Sequence, residues 1–199
     1  MAINLTFVSM KIILASQNPN KLYEIQSQLA NYDVIGLDPL LFPEELSETG
    51  NTLDENARQK AEQVWEKTNE SCFADDTGLE VEALNGEPGV YSARYAGVQK
   101  SAEDNMNLLL YNLLGKSNRK ARFRTCISLC LNGVFYEFEG VCDGEITLKK
   151  SGKKGFGYDP IFLPKGSKKT FAEMSLAEKA IISHRGLAVA QLISFLKNQ

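Results

Sequence analysis

Two stretches rich in β-branched and aromatic residues, Arg122 to Leu131 and Val134 to Val141, flank the dipeptide Asn132-Gly133, and this pairing constrains the fold more than any other feature. Asn-Gly tolerates the left-handed backbone of a tight two-residue turn, so the spacing predicts a long antiparallel hairpin. Strand and helix patterns alternate before it. Lys11 to Ala15 reads as a buried strand, and Asn18-Pro19 follows as a helix start, with Asn at the cap and Pro at the first helical position. Leu22, Ile25 and Leu29 carry that helix to about Asn31, and Val34 to Leu37 reads as a second strand. Residues 38–50 form a loop. Thr52 and Glu55 have the spacing of a capping box, and Leu53, Ala57, Ala61, Val64 and Trp65 continue a helix to about Lys67. Cys72 to Ala74 reads as a strand that turns at Asp75-Asp76. Ser101 to Leu114 is a capped helix with Met106, Leu109, Leu110, Leu113 and Leu114 on a broad apolar face. Beyond the hairpin, Lys149 to Gly155 is a loop, Phe156 to Phe162 a turn entering a short strand, Ser175 with Glu178 a third capping box, and Leu187 to Lys197 a last helix. This mixture predicts one α/β domain over residues 10–199, with two lobes around a cleft. Residues 1–9 read as a disordered extension before a second possible start at Met10.

Composition narrows the chemistry. A net charge of −3 and a pI near 5.4 argue against a surface that neutralises nucleic-acid phosphates. No apolar stretch is long enough to span a bilayer, and the first nine residues lack the features of a signal peptide. Cys72, Cys126, Cys130 and Cys142 form no metal-knuckle or redox spacing; Cys126 and Cys130 in one strand would stand about 13 Å apart, too far for a disulfide. All four read as reduced core thiols of a cytoplasmic protein. His184 is the only histidine. Two-histidine zinc sites within one chain are thereby excluded, and carboxylate chemistry at a hard metal such as Mg²⁺ leads among the enzyme readings.

Ala74-Asp75-Asp76-Thr77-Gly78-Leu79 sets two adjacent carboxylates in an apolar run. A strand sends them to opposite faces, so one faces a shared pocket while the other anchors the structure behind it. Asp76 is the metal candidate, and the competing reading is an Asx-turn that binds nothing. Ser16-Gln17-Asn18-Pro19-Asn20-Lys21 lies where a strand meets a helix N-terminus; it is either an anion site or a well-capped helix with an exposed lysine. Glu48 can join Asp76, since Mg²⁺ takes one or two carboxylates, waters and phosphate oxygens. Glu55 reads as a capping side chain instead. Lys60 either faces phosphate or is solvated. Phe156-Gly157-Tyr158-Asp159 joins an aromatic ring to a carboxylate, as base stacking requires, or is a packed corner. Ser183-His184-Arg185-Gly186 lies between two helical patterns, as donors to a ligand or as caps.

These motifs, with Glu48-Thr49-Gly50 and Tyr91-Ser92-Ala93-Arg94-Tyr95, occur in the order found in the inosine and xanthosine triphosphate pyrophosphatases, which the chain closely resembles from about Met10 to its end. The resemblance implies an elongated α/β domain with a long mixed sheet, flanking helices and a deep central substrate cleft between two lobes, usually as a homodimer. It implies Mg²⁺-dependent hydrolysis of ITP, dITP or XTP to the monophosphate and pyrophosphate, removing deaminated purines from the nucleotide pool. Matched motif to motif, Ser16, Gln17, Asn18, Pro19, Asn20 and Lys21 hold the triphosphate, with Lys60 adding a phosphate contact and Thr77 a substrate contact. Glu48 and Asp76 hold the metal, and Asp76 is also the proton acceptor. Phe156, Gly157, Tyr158 and Asp159 meet the nucleoside, and Lys179, His184 and Arg185 lie near the base. Gln17 often corresponds to Gly and Thr77 to Ser in that family. Two other readings are a pyrophosphatase of modified pyrimidine nucleotides and a nucleotide-binding module without turnover.

Overall fold

The hairpin centred on Asn132-Gly133 is the spine of the sheet. A computed structural model describes residues 10–199, so the expectation of disorder over residues 1–9 lies outside the described residues. β5 (Lys120–Leu131) and β6 (Val134–Ile146) pair antiparallel from Lys120 opposite Glu145 to Leu131 opposite Val134. Asn132 and Gly133 take φ of 52° and 83°, the left-handed backbone that matches the twist of the strands. On the other side of β5 lies β3 (Cys72–Val81), also antiparallel. β1 (Lys11–Leu14) adds parallel to β3, β2 (Asp33–Ile35) parallel to β1, and β7 (Phe162–Pro164) antiparallel to β6. The resulting mixed sheet has the order β2-β1-β3-β5-β6-β7, with the short β4 (Pro88–Gly89) on the far end of β3.

Alternation along the strands assigns side chains to two faces. Phe73, Ile127, Leu129 and Leu131 pack on one face with residues of α1 (Pro19–Gln26) and α5 (His184–Leu196). Cys72, Ala74 and Cys130 point the other way, toward Ala61 and Val64 of α2 (Leu53–Thr68). A separate core gathers Leu79, Val81, Phe123, Cys142 and Ile146 from the far ends of the long strands with Met106 and Leu109 of α3 (Ala102–Asn112) and with Ile161 and Phe162. Two lobes therefore share β3, β5 and β6, as expected from the sequence. α4 (Leu176–Ile182) precedes α5 and carries Lys179.

Four local expectations need correction. β3 does not turn at Asp75-Asp76; it runs on to Val81 in unbroken register with β5. Gly78 serves close approach, since a Cβ there would lie 2.7 Å from the Gly89 carbonyl oxygen. The predicted first helix stops at Gln26, five residues short of Asn31, where the Ser27 hydroxyl donates to the Glu24 carbonyl at 2.6 Å. α3 ends at Asn112, leaving Leu114 71% exposed, outside the apolar face. The last helix begins at His184 rather than Leu187, because Ser183 closes α4 in extended conformation and accepts the Gly186 N–H at 3.1 Å as the cap of α5. The capping boxes at Thr52 and Ser175 form as expected, and the four cysteines are buried free thiols.

Candidate active site

Strand alternation separates the two neighbouring aspartates. Asp75 follows Phe73 onto the face covered by α1 and α5 and is 0% exposed. Arg185, itself 2% exposed, donates to Asp75 Oδ2 from Nε and Nη2, each at 3.1 Å, and from Nη1 to Glu24 at 2.7 Å. Lys21 places its ammonium 3.1 Å from Asp75 Oδ1. Lys179 extends the chain of charges, 2.7 Å from Glu24 and 2.5 Å from Asp159, whose Oδ2 also accepts the Phe156 N–H at 2.9 Å. Burial by itself would raise the Asp75 and Glu24 carboxyls, but the cations beside them win and hold both below the usual range, Asp75 furthest.

Asp76 faces α2. Its Oδ1 accepts from the Lys60 ammonium at 3.2 Å and its Oδ2 from Asn56 Nδ2 at 3.3 Å. Lys60 also donates to Glu48 at 2.5 Å and to the Asp75 carbonyl at 2.8 Å, so the two carboxylates of the proposed metal site share one ammonium. The loop bearing Glu48 is held along one face of α2, with Asn56 accepting the Gly50 N–H, Gln59 the Thr49 N–H and Gln63 the Ser47 N–H at 2.8, 2.9 and 2.9 Å. Glu55 accepts the Asn51 and Thr52 N–H groups, the capping role expected of it. Asp76 is 8% exposed; burial pushes its carboxyl up while Lys60 and Lys21 pull it down, and burial prevails.

Between the lobes lies a cavity of about 510 Å³. The anion-site segment reaches it through Ser16, Gln17, Asn18, Asn20 and Lys21, whereas Pro19, at the first position of α1, does not line it. Asn18 caps α1 by accepting the Asn20 N–H at 3.0 Å, and the Gln17 amide is tied to the Phe42 and Glu44 carbonyls at 3.0 and 2.9 Å. Glu48, Lys60, Asp76 and Thr77 also line it, as do Phe156 to Asp159, Lys179, His184 and Arg185. There the cations of Lys179 and Arg185 lie 5.1 and 5.4 Å from the centre of the Phe156 ring. Tyr158 lines the cavity but is buried, packed in the core with its hydroxyl donating to the Ser92 carbonyl at 2.9 Å. The His184 ring stacks on Phe123 with centroids 4.3 Å apart, and Nδ1 finds no partner among the described residues. Burial, reinforced by Arg185 and Lys179, keeps this imidazole neutral, well below its usual 6.5.

Two residues of this architecture escaped sequence reasoning. Glu24 is the buried hub between Lys179 and Arg185, and its one hint was a position three residues after Lys21, on the same face of α1. Asn56 ties Asp76 to the loop of Glu48. Its signal was the amide stripe Asn56, Gln59 and Gln63 at helical spacing on α2.

An α/β sheet bearing a cleft lined by a cation-rich helix terminus, a pair of carboxylates and an aromatic ring defines a class of proteins suited to a polyanionic, ring-bearing ligand. Comparison with known proteins specifies the family. The Ham1 family model matches residues 12–195. A dITP/XTP pyrophosphatase of Flavobacterium johnsoniae is 54% identical over 188 residues, which cover 94% of this chain and 98% of that relative. One of Porphyromonas gingivalis is 48% identical, with 94% and 97% covered. The solved structure of the Staphylococcus aureus Ham1 protein superposes with a TM-score of 0.84 at 43% identity, covering 94% of this chain and 98% of that one. A HAM1 protein from Coxiella burnetii gives 0.86 at 39%, covering 96% and 100%. This chain belongs to the Ham1 family.

Proposed function

We propose that the protein hydrolyses deaminated purine nucleoside triphosphates, ITP, dITP and XTP, to the nucleoside monophosphate and pyrophosphate, with Mg²⁺ as cofactor. The observation that carries this reading is the set of groups lining one cavity: the α1 N-terminus with Lys21, the carboxylates Glu48 and Asp76 about Lys60, and Phe156 with Lys179 and Arg185. Close relatives named dITP/XTP pyrophosphatase support it over nearly the whole chain. The donor chemistry suits Mg²⁺. Among the described residues no group of three or more His, Cys, Asp or Glu side chains is arranged to hold a metal, and a pair of carboxylates, Glu48 and Asp76, matches an ion that keeps waters and takes further oxygens from phosphate. Bound there, magnesium would offset the charge that develops on the phosphates during cleavage.

The remaining work belongs to the protein. Ser16 to Lys21 hold the triphosphate, with Pro19 acting through the helix it starts rather than by contact, Lys60 adds a phosphate contact, and Thr77, whose hydroxyl accepts from Arg185 at 3.2 Å, contacts the substrate. Asp76, raised by burial toward the working pH, accepts the proton of the attacking water or orients that water. Phe156 stacks on the base above the Gly157 backbone, while Asp159 holds Phe156 and Lys179 in place. Four of the five N–H groups of Arg185 are committed to Asp75, Glu24 and Thr77, leaving one for a 6-oxo acceptor beside neutral His184. The 6-amino group of adenine would face donors there, which disfavours ATP.

We place the enzyme in the cytoplasm as a homodimer, acting on no nucleic acid and no membrane; no described helix is long and apolar enough to cross one. Steady-state assays of ITP, dITP, XTP, GTP and ATP with Mg²⁺, following pyrophosphate, test the reading. Release of orthophosphate instead would contradict the bond assignment, and preference for altered UTP or CTP would transfer the enzyme to pyrimidine nucleotides.

A further inference from the structure

The Lys60 ammonium occupies the gap that the two acidic side chains would offer a cation. It is 5% exposed, and its three protons are spent on Glu48 at 2.5 Å, the Asp75 carbonyl at 2.8 Å and Asp76 at 3.2 Å. Asn56 fixes the second oxygen of Asp76, so that carboxylate cannot simply rotate to serve lysine and metal at once. We propose that Lys60 is a resident cation that blocks the metal site of the free protein and leaves it only when a triphosphate arrives, making metal loading depend on the nucleotide. The proposal rests on the Mg²⁺ reading given above.

The reason is a balance of partners. A dication entering between Glu48 and Asp76 repels the ammonium at a few ångströms. Swung out, Lys60 gives up the Asp75 carbonyl and both carboxylates at once while staying close to Lys21, which donates to that same carbonyl at 3.1 Å, so like charge meets it. Leaving a buried ammonium short of hydrogen bonds is costly. A triphosphate supplies the missing oxygen acceptors. Metal and nucleotide then favour one another through a single side chain, while the metal alone must compete with it.

The test measures Mn²⁺ bound to the protein, as a spectroscopic stand-in for Mg²⁺, by electron paramagnetic resonance with and without the uncleavable α,β-methylene analogue of dITP. Wild type should bind Mn²⁺ weakly alone and about tenfold or more tightly with the analogue, while Lys60→Met should bind Mn²⁺ alone about tenfold more tightly than wild type and gain correspondingly less from the analogue, keeping only the part that phosphate oxygens on the ion contribute. Lys60→Gln, smaller and polar, should move the same way, and thermal melts establish that each variant folds. Wild type that binds Mn²⁺ equally well with and without the analogue overturns the gate, whether or not the variants fold, and so do variants that match wild type. Failure of every form to bind Mn²⁺, even with the analogue, overturns the metal reading itself, a result distinct from tight but ungated binding.

Discussion

Asp75 and Asp76 are joined by one peptide bond and live in opposite environments. Asp75 is sealed beneath α1 and α5, gripped by Arg185 and Lys21, with its proton held off far below the usual range. Asp76 lines the cavity, shares Lys60 with Glu48, and is pushed toward protonation by burial. One side chain builds the wall, and the other is the one we propose reacts. The two-residue period of a strand produces this division without any turn, and it explains how a rigid, charge-rich scaffold and a responsive carboxylate stand back to back.

The largest expected effect strikes the sealed side. Arg185→Ala leaves Asp75 and Glu24 buried without the guanidinium they share, and should cost about 3 to 5 kcal/mol of stability, read as a lower urea midpoint. A stable variant changed only in its preference among bases would show that the guanidinium is a reader of substrate and not a strut. Asn56→Ala is next. It strips a donor from Asp76 and an acceptor from the Gly50 N–H, so about 1 to 3 kcal/mol should be lost, together with turnover at saturating substrate. Unchanged turnover would sever the link between the Glu48 loop and Asp76.

The smallest effect concerns His184. Its folded pKa is depressed by burial, Arg185 and Lys179, so the unfolded chain binds the extra proton first as pH falls below 6.5. Stability is therefore lost on going down from that pH, by at most about 1.4 kcal/mol per pH unit. His184→Phe, which keeps a ring against Phe123, should flatten the wild-type slope between pH 6.5 and 5 in urea titrations. Equal slopes would mean that the imidazole is charged or solvated in the folded protein.

The parts of the molecule that could be read from sequence are those written in local chemistry. The Asn132-Gly133 turn, the Asn18-Pro19 helix start and the Thr52 and Ser175 capping boxes each need only neighbours a few residues away. The opposite facing of Asp75 and Asp76 followed from strand geometry alone. The continuation of β3 past them did not, because it rests on the register with β5, whose Cys126 lies opposite Asp76 from far along the chain, where no local pattern encodes it. Glu24 was hidden for the same reason, as it meets Lys179 155 residues away and Arg185 161 residues away. The commitment of Arg185 to Asp75 also changes its reading, from a free donor at the base to a braced one.

The comparison is tested most directly by the rate of pyrophosphate release from dITP by Asp76→Asn, measured on protein whose urea midpoint has been checked against wild type. Loss of a positioned proton acceptor is worth about a hundredfold or more, so the account predicts at least that fall in kcat with a midpoint close to wild type. Near-parental turnover in the folded variant would contradict it.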